Sequence, residues 1–416
     1  MKIVTLNPDE FDQFAKVHKY RSYYQTSNYA EVMKHFGFNV HLLGFTDDNN
    51  NLIGATLLLF KEVFMGNKVA YAPRGLLFDY TNSSNLNELV TKLKQVLGKQ
   101  GFALLRIDPL IPSSIRDSKG NIININNEAN IVVANLKSAG FTHRGNNLYF
   151  EGEKPRFEAI ALFNKPIQDV FKSFDKRTRH KIKKAMVAGI EVYKDQDKNL
   201  DKLYEFVKAK HNKPIEFYKE LCNNYKDNIE VFYAKLNTEK YVINSKRLYE
   251  EEMDKNDALA RKIQDPNNMN VDKKTVINKK MESDKLINTY KNDLVLATRL
   301  LKEHPNGFII GGSLNIIFDN AAFLVIEGFD TTYKALNPNY LLKWRLINDY
   351  YNRKLKYYNL NAVVGEFDEN NKYAGLNEMK LGFNAAITEY IGEFDIILNN
   401  FSYNFSKRAI KDKIDT

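Results

Sequence analysis

Asp108 is the side chain best placed for proton chemistry. It closes FALLRIDPLIP, an apolar run that reads as a buried strand. The strand stops at Asp108-Pro109, because proline cannot join a hydrogen-bonded ladder. Carboxyl ends of strands are where α/β folds gather ligand contacts. A carboxylate there either faces a ligand or satisfies local backbone amides. The second concentration of chemistry is Lys172–Lys184. It carries Lys172, Lys176, Arg177, Arg179, Lys181, Lys183 and Lys184, with Asp175 its single acid. Read as a helix, it turns Val170, Phe171, Phe174, Ile182 and Ala185 to a core and spreads its cations over the rest. Guanidinium forks fit phosphate, so such a face suits a phosphorylated or nucleic-acid partner. The alternative is a solvated helix face.

Other reactive residues carry less. Cys222 is the only cysteine, which excludes an intramolecular disulfide framework and a Cys-rich metal site. It sits in YKELCNNY without a His–acid partner and reads as a structural thiol. The histidines (His18, His35, His41, His143, His180, His211, His304) are scattered, and none has metal-ligand spacing. No GxSxG or Cys–His pattern suggests a covalent intermediate. No metal and no cofactor are expected.

These residues need a scaffold of more than one ordinary core. The chain has 416 residues, 44% hydrophobic and 12% aromatic, which implies a globular protein of two or three domains. Its net charge of +10 and pI near 9.1 favour an acidic or phosphate-bearing partner. MKIVTLNPDE has no apolar signal-peptide region, and no run reaches the ~18–20 apolar residues of a bilayer span. The expected location is cytoplasmic, with any membrane contact peripheral and aided by the cations.

Strand and helix patterns alternate along the chain. KIVTL, FNVHLLGFTDD, LIGATLLLFKEVF and KVAYA read as strands, and SNYAEVMKHFG and NLNELVTKLKQVLGKQG as helices closed by glycine. A polar loop follows Pro109. From Arg156 a second half repeats the order: FEAIALF, the basic helix, GIEVYKD, two helices, IEVFYAKL, a strand pair from GFIIGG, then NYLLKWRLINDYYNRK and KYYNLNAVVGEF. LKSAGF (136–141) closes the first half and MKLGF (379–383) the second. The pattern suggests two copies of one α/β domain, at 1–153 and at 154–237 plus 305–400. Residues 238–304 are different material, with nearly balanced charge and hardly an aromatic. Ile287, Tyr290, Leu294, Ala297 and Leu301 keep a 3/4 spacing, so this insertion is expected to be an antiparallel helical hairpin.

Two α/β halves with a charged hairpin in the second resemble the Fem family, the aminoacyl-tRNA-dependent transferases that build peptidoglycan interpeptide bridges. QTSNYAEVMK, YAPRGLLFDY, LLRIDPLIP, LKSAGFTHRG, KRTRHKIKKAMVAGIEV and GFNAAITEYIGEF carry the resemblance by their order and spacing. It implies two tandem acetyltransferase-like domains. It also implies transfer of an amino acid, of the glycine, serine or alanine class, from its tRNA to the side-chain amine of a stem peptide. The acceptor would be lipid II or a UDP-linked muramyl peptide, so both substrates are polyanions. The hairpin is similar to the arm that a seryl-tRNA synthetase lays on tRNA.

The resemblance also assigns residues. Asp108 would lie by the acceptor cleft and hold or deprotonate the incoming ammonium. Lys34 and Arg74 would lie near the muramyl substrate, although Arg74 in a Pro-Arg-Gly turn could simply lock its loop. Arg179 and Lys183 would clamp the diphosphate. Tyr218 would touch the same substrate or fill the core. Some members carry an oxyanion-steadying lysine before the last long helix. Here Phe318-Asp319-Asn320-Ala321-Ala322-Phe323 has none. The rival readings are an acyl-CoA N-acyltransferase, which would need a glycine-rich pyrophosphate loop that PRGLLFD only approaches, and a non-catalytic RNA-binding protein.

Overall fold

The structure is a computed structural model that describes residues 1–264, 272–368 and 370–413. Among these, two mixed sheets carry the fold. The first has seven strands in the order β1 (Lys2–Thr5), β2 (Asn39–Thr46), β3 (Leu52–Phe64), β4 (Asn67–Ala72), β5 (Phe102–Ile107), β16 (Phe394–Ile397) and β8 (Thr142–His143). The second has nine: β10 (Ile190–Asp195), β11 (Ile229–Leu236), β12 (Phe308–Phe318), β13 (Ala321–Phe329), β14 (Tyr357–Ala362), β9 (Phe157–Leu162), β15 (Ala386–Tyr390), β6 (Pro112–Arg116) and β7 (Ile122–Ile125). The stretch after Pro109, expected as a polar loop, supplies β6 and β7. Its polar–apolar alternation is too short to read as strand from sequence.

Each sheet repeats one plan: an antiparallel meander, a helical crossover, then a parallel strand. In the first, α3 (Ser83–Val96) connects β4 to the parallel β5; in the second, α11 (Pro338–Asn352) connects β13 to the parallel β14. A single exchange ties the two together. β16, from the end of the chain, enters the first sheet between β5 and β8. β6 and β7, from the first third, extend the second sheet beside β15.

Strand alternation sets three apolar layers. Leu58, Phe60, Ala72 and Ile107 pack under α3 and α4 (Asn127–Ser138) on the outer face of the first sheet. Leu57 and Leu59 face the other way. They join Val231, Leu314 and Ile326 of the second sheet around α1 (Pro8–Val17), α2 (Ser27–His35), α7 (Asp201–Val207) and α8 (Ile215–Tyr225). This layer lies between the sheets. On the far face of the second sheet, Phe157, Ala159 and Ala161 pack under α5 (Ile167–Ser173), α6 (Lys176–Val187), α11 and α12 (Ala374–Leu381).

The insertion is a helical hairpin of α9 (Thr238–Gln264) and α10 (Lys273–Glu303). Thr238 Oγ1 donates to the His304 carbonyl at its base, and Asn256 Nδ2 to Asp284 further out, which makes the helices antiparallel. Balanced charges pair along each helix, as in Arg247–Glu251 and Lys280–Asp284. A last helix, α13 (Asn400–Lys413), lies across β3, β4 and β5. Among the described residues, no helix is long and apolar enough to cross a membrane.

Candidate functional site

β4 and β5 run parallel with Ala72 beside Ile107, so Arg74 and Asp108 leave the sheet at the same end. The backbone N–H of Arg74 donates to Asp108 Oδ1 at 2.6 Å, with Arg74 itself at φ +54°. A left-handed backbone is costly for a branched side chain and survives only where its surroundings over-determine it. Here a buried carboxylate and a buried guanidinium do so. Arg74 Nη2 reaches Glu158 Oε1 at 2.7 Å and the Pro155 carbonyl at 2.8 Å, and its guanidinium lies 4.8 Å from the centre of the Tyr390 ring. Its fork is therefore spent inside the protein.

Asp108 is only 2% exposed. Its Oδ2 has no hydrogen-bond partner, and its nearest cation is Arg74 Nη1 at 3.6 Å. Burial raises its pKa to about 7, against the pull of Arg74 and Lys154. The hydroxyl of Tyr71, on β4, is also buried without a partner, and Asp108 is the nearest charge acting on it. Buried polar atoms are nearly always satisfied. Two orphans side by side mark a place where a polar ligand group or water is expected.

A cleft opens above them, between the sheets. Two adjoining hollows of about 250 and 230 Å³ share Tyr23, Tyr24 and Asn361 as a wall. The first is lined by Arg74, Glu158, Ile160, Tyr357 and Tyr390; the second by Tyr29, Tyr71, Lys154, Lys213, Phe217 and Tyr218. Glu158, Ile160 and Leu162 of β9 alternate with Phe157, Ala159 and Ala161, so the cleft lies on the sheet face opposite α6.

Among the described residues, two cations face this cleft with neither an ion pair nor a hydrogen bond. Lys154 Nζ lies 4.5 Å from the centre of the Tyr24 ring, and Lys213 Nζ 5.4 Å from that of Phe217. Burial works against the Lys154 charge, but Tyr29, Tyr24 and Asp108 hold it, so its pKa moves up. Burial and the nearby Lys154 lower that of Lys213. Two ammoniums that repel each other in a tyrosine-lined hollow call for an anion between them.

The sequence-derived residues separate into groups. Arg74 and Tyr218 line this cleft, and Asp108, not itself part of the lining, is held behind it by Arg74; Tyr218 is 3% exposed, and burial pushes its hydroxyl to about 12. Lys34 stands on the exposed face of α2, paired with Glu31 at 2.6 Å, while its neighbour Met33 lines the cleft. Arg179 and Lys183 lie across the sheet on α6. Lys183 borders a separate apolar hollow against the base of the helical hairpin, with Tyr241, Leu248 and Leu286. Cys222 is half-buried, and burial raises its thiol to about 11, so it stays protonated. Lys154, Lys213 and Glu158 are site residues that the sequence reading missed. The two lysines share one faint signal: each precedes a proline, as Lys154-Pro155 and Lys213-Pro214. The gap in Phe318–Phe323 is the turn from β12 into β13, where Asp319 pairs with Arg21 at 2.5 Å.

Residues 6–411 match the family model described as the FemAB family. The aminoacyltransferase FemA of Staphylococcus aureus strain N315 is 26% identical over 428 residues, covering 100% of both chains. FemA of the bovine strain RF122 is also 26% identical, over 427 residues. Among solved structures, FemX superposes with a TM-score of 0.72 at 22% identity, over 97% of this chain and 99% of that one.

Proposed function

The chain belongs to the FemAB family and is an aminoacyltransferase, and from that premise we propose that it joins an amino acid from aminoacyl-tRNA to a peptidoglycan-precursor peptide. The acceptor is a side-chain amine of the stem peptide, on lipid II or its nucleotide-linked counterpart. The transferred residue belongs to the glycine, serine or alanine class. The observation that carries this reading is the cleft itself. An Asp108 oxygen without a hydrogen-bond partner lies behind its lining, held there by Arg74, and two lysines that have no ion pair among the described residues, Lys154 and Lys213, line its wall.

The reaction is aminolysis of an ester. The amine nitrogen attacks the aminoacyl carbonyl carbon, a C–N bond forms, and the C–O bond to the terminal ribose breaks. The proton lost by the amine goes to Asp108 Oδ2 and leaves on the ribose oxygen. A carboxylate with a pKa near 7 is matched to that relay at neutral pH. Arg74 is a positioning residue: its N–H and guanidinium hold the carboxylate, and Glu158 holds Arg74. Tyr218 gives the second hollow an aromatic wall for the precursor.

The precursor's diphosphate sits at Lys154 and Lys213, with Lys34 at the outer rim. Arg179 and Lys183, on the other sheet face, are left for the second polyanion, the tRNA. Supporting this, Lys176, Arg177, Arg179 and Lys183 form no ion pair among the described residues.

A transfer assay tests the reading. Labelled aminoacyl-tRNAs are offered with and without a muramyl-pentapeptide precursor, and the product is weighed by mass spectrometry. The expected result is precursor heavier by one amino-acid residue, only when charged tRNA is present. Label moving from an acyl-CoA but never from tRNA would replace this function with that of an ordinary N-acyltransferase.

A further inference from the structure

Helix α13 is built inside out. The side chains it turns inward include Ser402 and Ser406, at 5% and 0% exposure. Those it turns outward include Phe401 and Phe405, at 73% and 57%. The inward serines have a clear use: small side chains let the helix lie close to Val63, Val69, Ala103 and Leu104 of the sheet, beside Tyr403. The outward phenylalanines have none within the protein. Their rings touch at a tilt of 45° with centres 4.7 Å apart, one helical turn apart on the same face. Single exposed apolar residues are ordinary, but a paired aromatic face is the mark of a surface that meets something apolar.

Two neighbouring features extend this face. Met65, at the turn between β3 and β4, is 79% exposed and holds φ +46°, a conformation that glycine or asparagine adopts more readily. The turn and the start of α13 both abut the 98–101 loop. The Gly66 carbonyl oxygen lies 3.1 Å from where a side chain on Gly101 would begin, and Asn399 Nδ2 donates to the Gly98 carbonyl. The surroundings are also basic. Lys407 and Arg408 are exposed on α13 and Lys99 is exposed beside it; the acids at its margins are Asp395 and Asp412 along the chain and Glu62, which accepts from the Gly66 N–H in the turn.

We propose that α13 and the β3–β4 turn form a membrane-docking face, with Phe401, Phe405 and Met65 entering the acyl boundary and Lys407, Arg408 and Lys99 meeting anionic headgroups. Aromatic and aliphatic tips backed by lysine and arginine are the composition of a helix that lies in a bilayer interface. A protein partner would be expected to bring acids that pair with specific cations; here the cations ring an apolar centre. The face lies at the amino ends of β4 and β5, whereas Asp108 lies past their carboxyl ends. Six residues of strand put the cleft roughly 20 Å above the bilayer surface. This deepens the proposed function, since it rests on that reading for the identity of the membrane-borne substrate, but the docking geometry stands on its own residues.

The test is flotation of the full-length chain with vesicles of phosphatidylcholine alone or mixed with phosphatidylglycerol. Binding is expected with the anionic mixture and to weaken as salt rises. Phe401→Ser with Phe405→Ser is expected to weaken it about tenfold or more. Lys407→Glu with Arg408→Glu is expected to weaken it and remove most of the salt dependence. In a fold-neutral variant, Phe401→Trp, fluorescence emission is expected to shift to the blue when anionic vesicles are added. No wild-type flotation, full binding by the double serine variant, or unchanged emission from the tryptophan variant would each overturn the proposal. Transfer to a water-soluble nucleotide-linked precursor separates the two claims. It should be unaffected by the serine pair, and failure of the wild type on both this precursor and detergent-dispersed lipid II would overturn the function while leaving the docking face standing.

Discussion

Replacing Asp108 by asparagine is expected to lower kcat for transfer by about 10²–10⁴-fold, the range for losing a positioned general base. Asparagine keeps the shape and can still accept from the Arg74 N–H, so precursor affinity should change little. A parallel fall in affinity would instead mark Asp108 as a binding or structural residue. The same substitution has a signature in stability. The native carboxyl titrates near 7, whereas an exposed one titrates at 3.8. Between those values the folded chain binds more protons than the unfolded one, so stability falls as pH rises through the window. Asparagine does not titrate, so the variant should lack this share of the fall and gain on the wild type from pH 4 to 7. Denaturant unfolding at several pH values reads it directly. Identical slopes for both proteins would show that Asp108 is ionised throughout and is not poised for a proton relay.

The second large effect belongs to Arg74. Its guanidinium pairs with Glu158 at 2.7 Å and approaches Asp108 to 3.6 Å inside the protein. Arg74→Met leaves two carboxylates facing each other in a buried site. Breaking a buried pair by removing one partner costs about 3–5 kcal/mol. Denaturant midpoints should therefore drop sharply at pH 8. The loss should shrink toward pH 5, because Asp108 can then take up a proton. Arg74→Lys restores the charge without the fork and should recover only part of the stability. A methionine variant as stable as the wild type at pH 8 would mean that solvent reaches these carboxylates.

Much of this scaffold is written in local pattern. Asp108-Pro109 announces the end of β5, and the structure places that end at the cleft with Arg74. The spacing of Ile287, Tyr290, Leu294, Ala297 and Leu301 announces α10. Sidedness is a different matter. The apolar stripe of α6 shows that the helix packs on a sheet, not which face it covers; that depends on how the crossover strands are arranged. The exchange of β16 for β6 and β7 is likewise hidden, because strand pairing across the whole chain leaves no periodic trace. Lys154 and Lys213 were missed for a third reason. Each stands in a loop before proline, and its place on the cleft wall is one that only packing reveals. The inverted face of α13 is hidden in the same way, since which side of a helix meets the sheet is settled by packing.

The central claim is that the precursor occupies the cleft between the sheets. A crystal structure of the protein with a UDP-linked muramyl pentapeptide is the most direct measurement of it. The expected density runs through the hollow lined by Tyr29 and Tyr218, with the diphosphate against Lys154 and Lys213 and the peptide amine reaching toward Asp108. Density on the α6 face instead, with the diphosphate at Arg179 and Lys183 and the cleft holding only water, would contradict it.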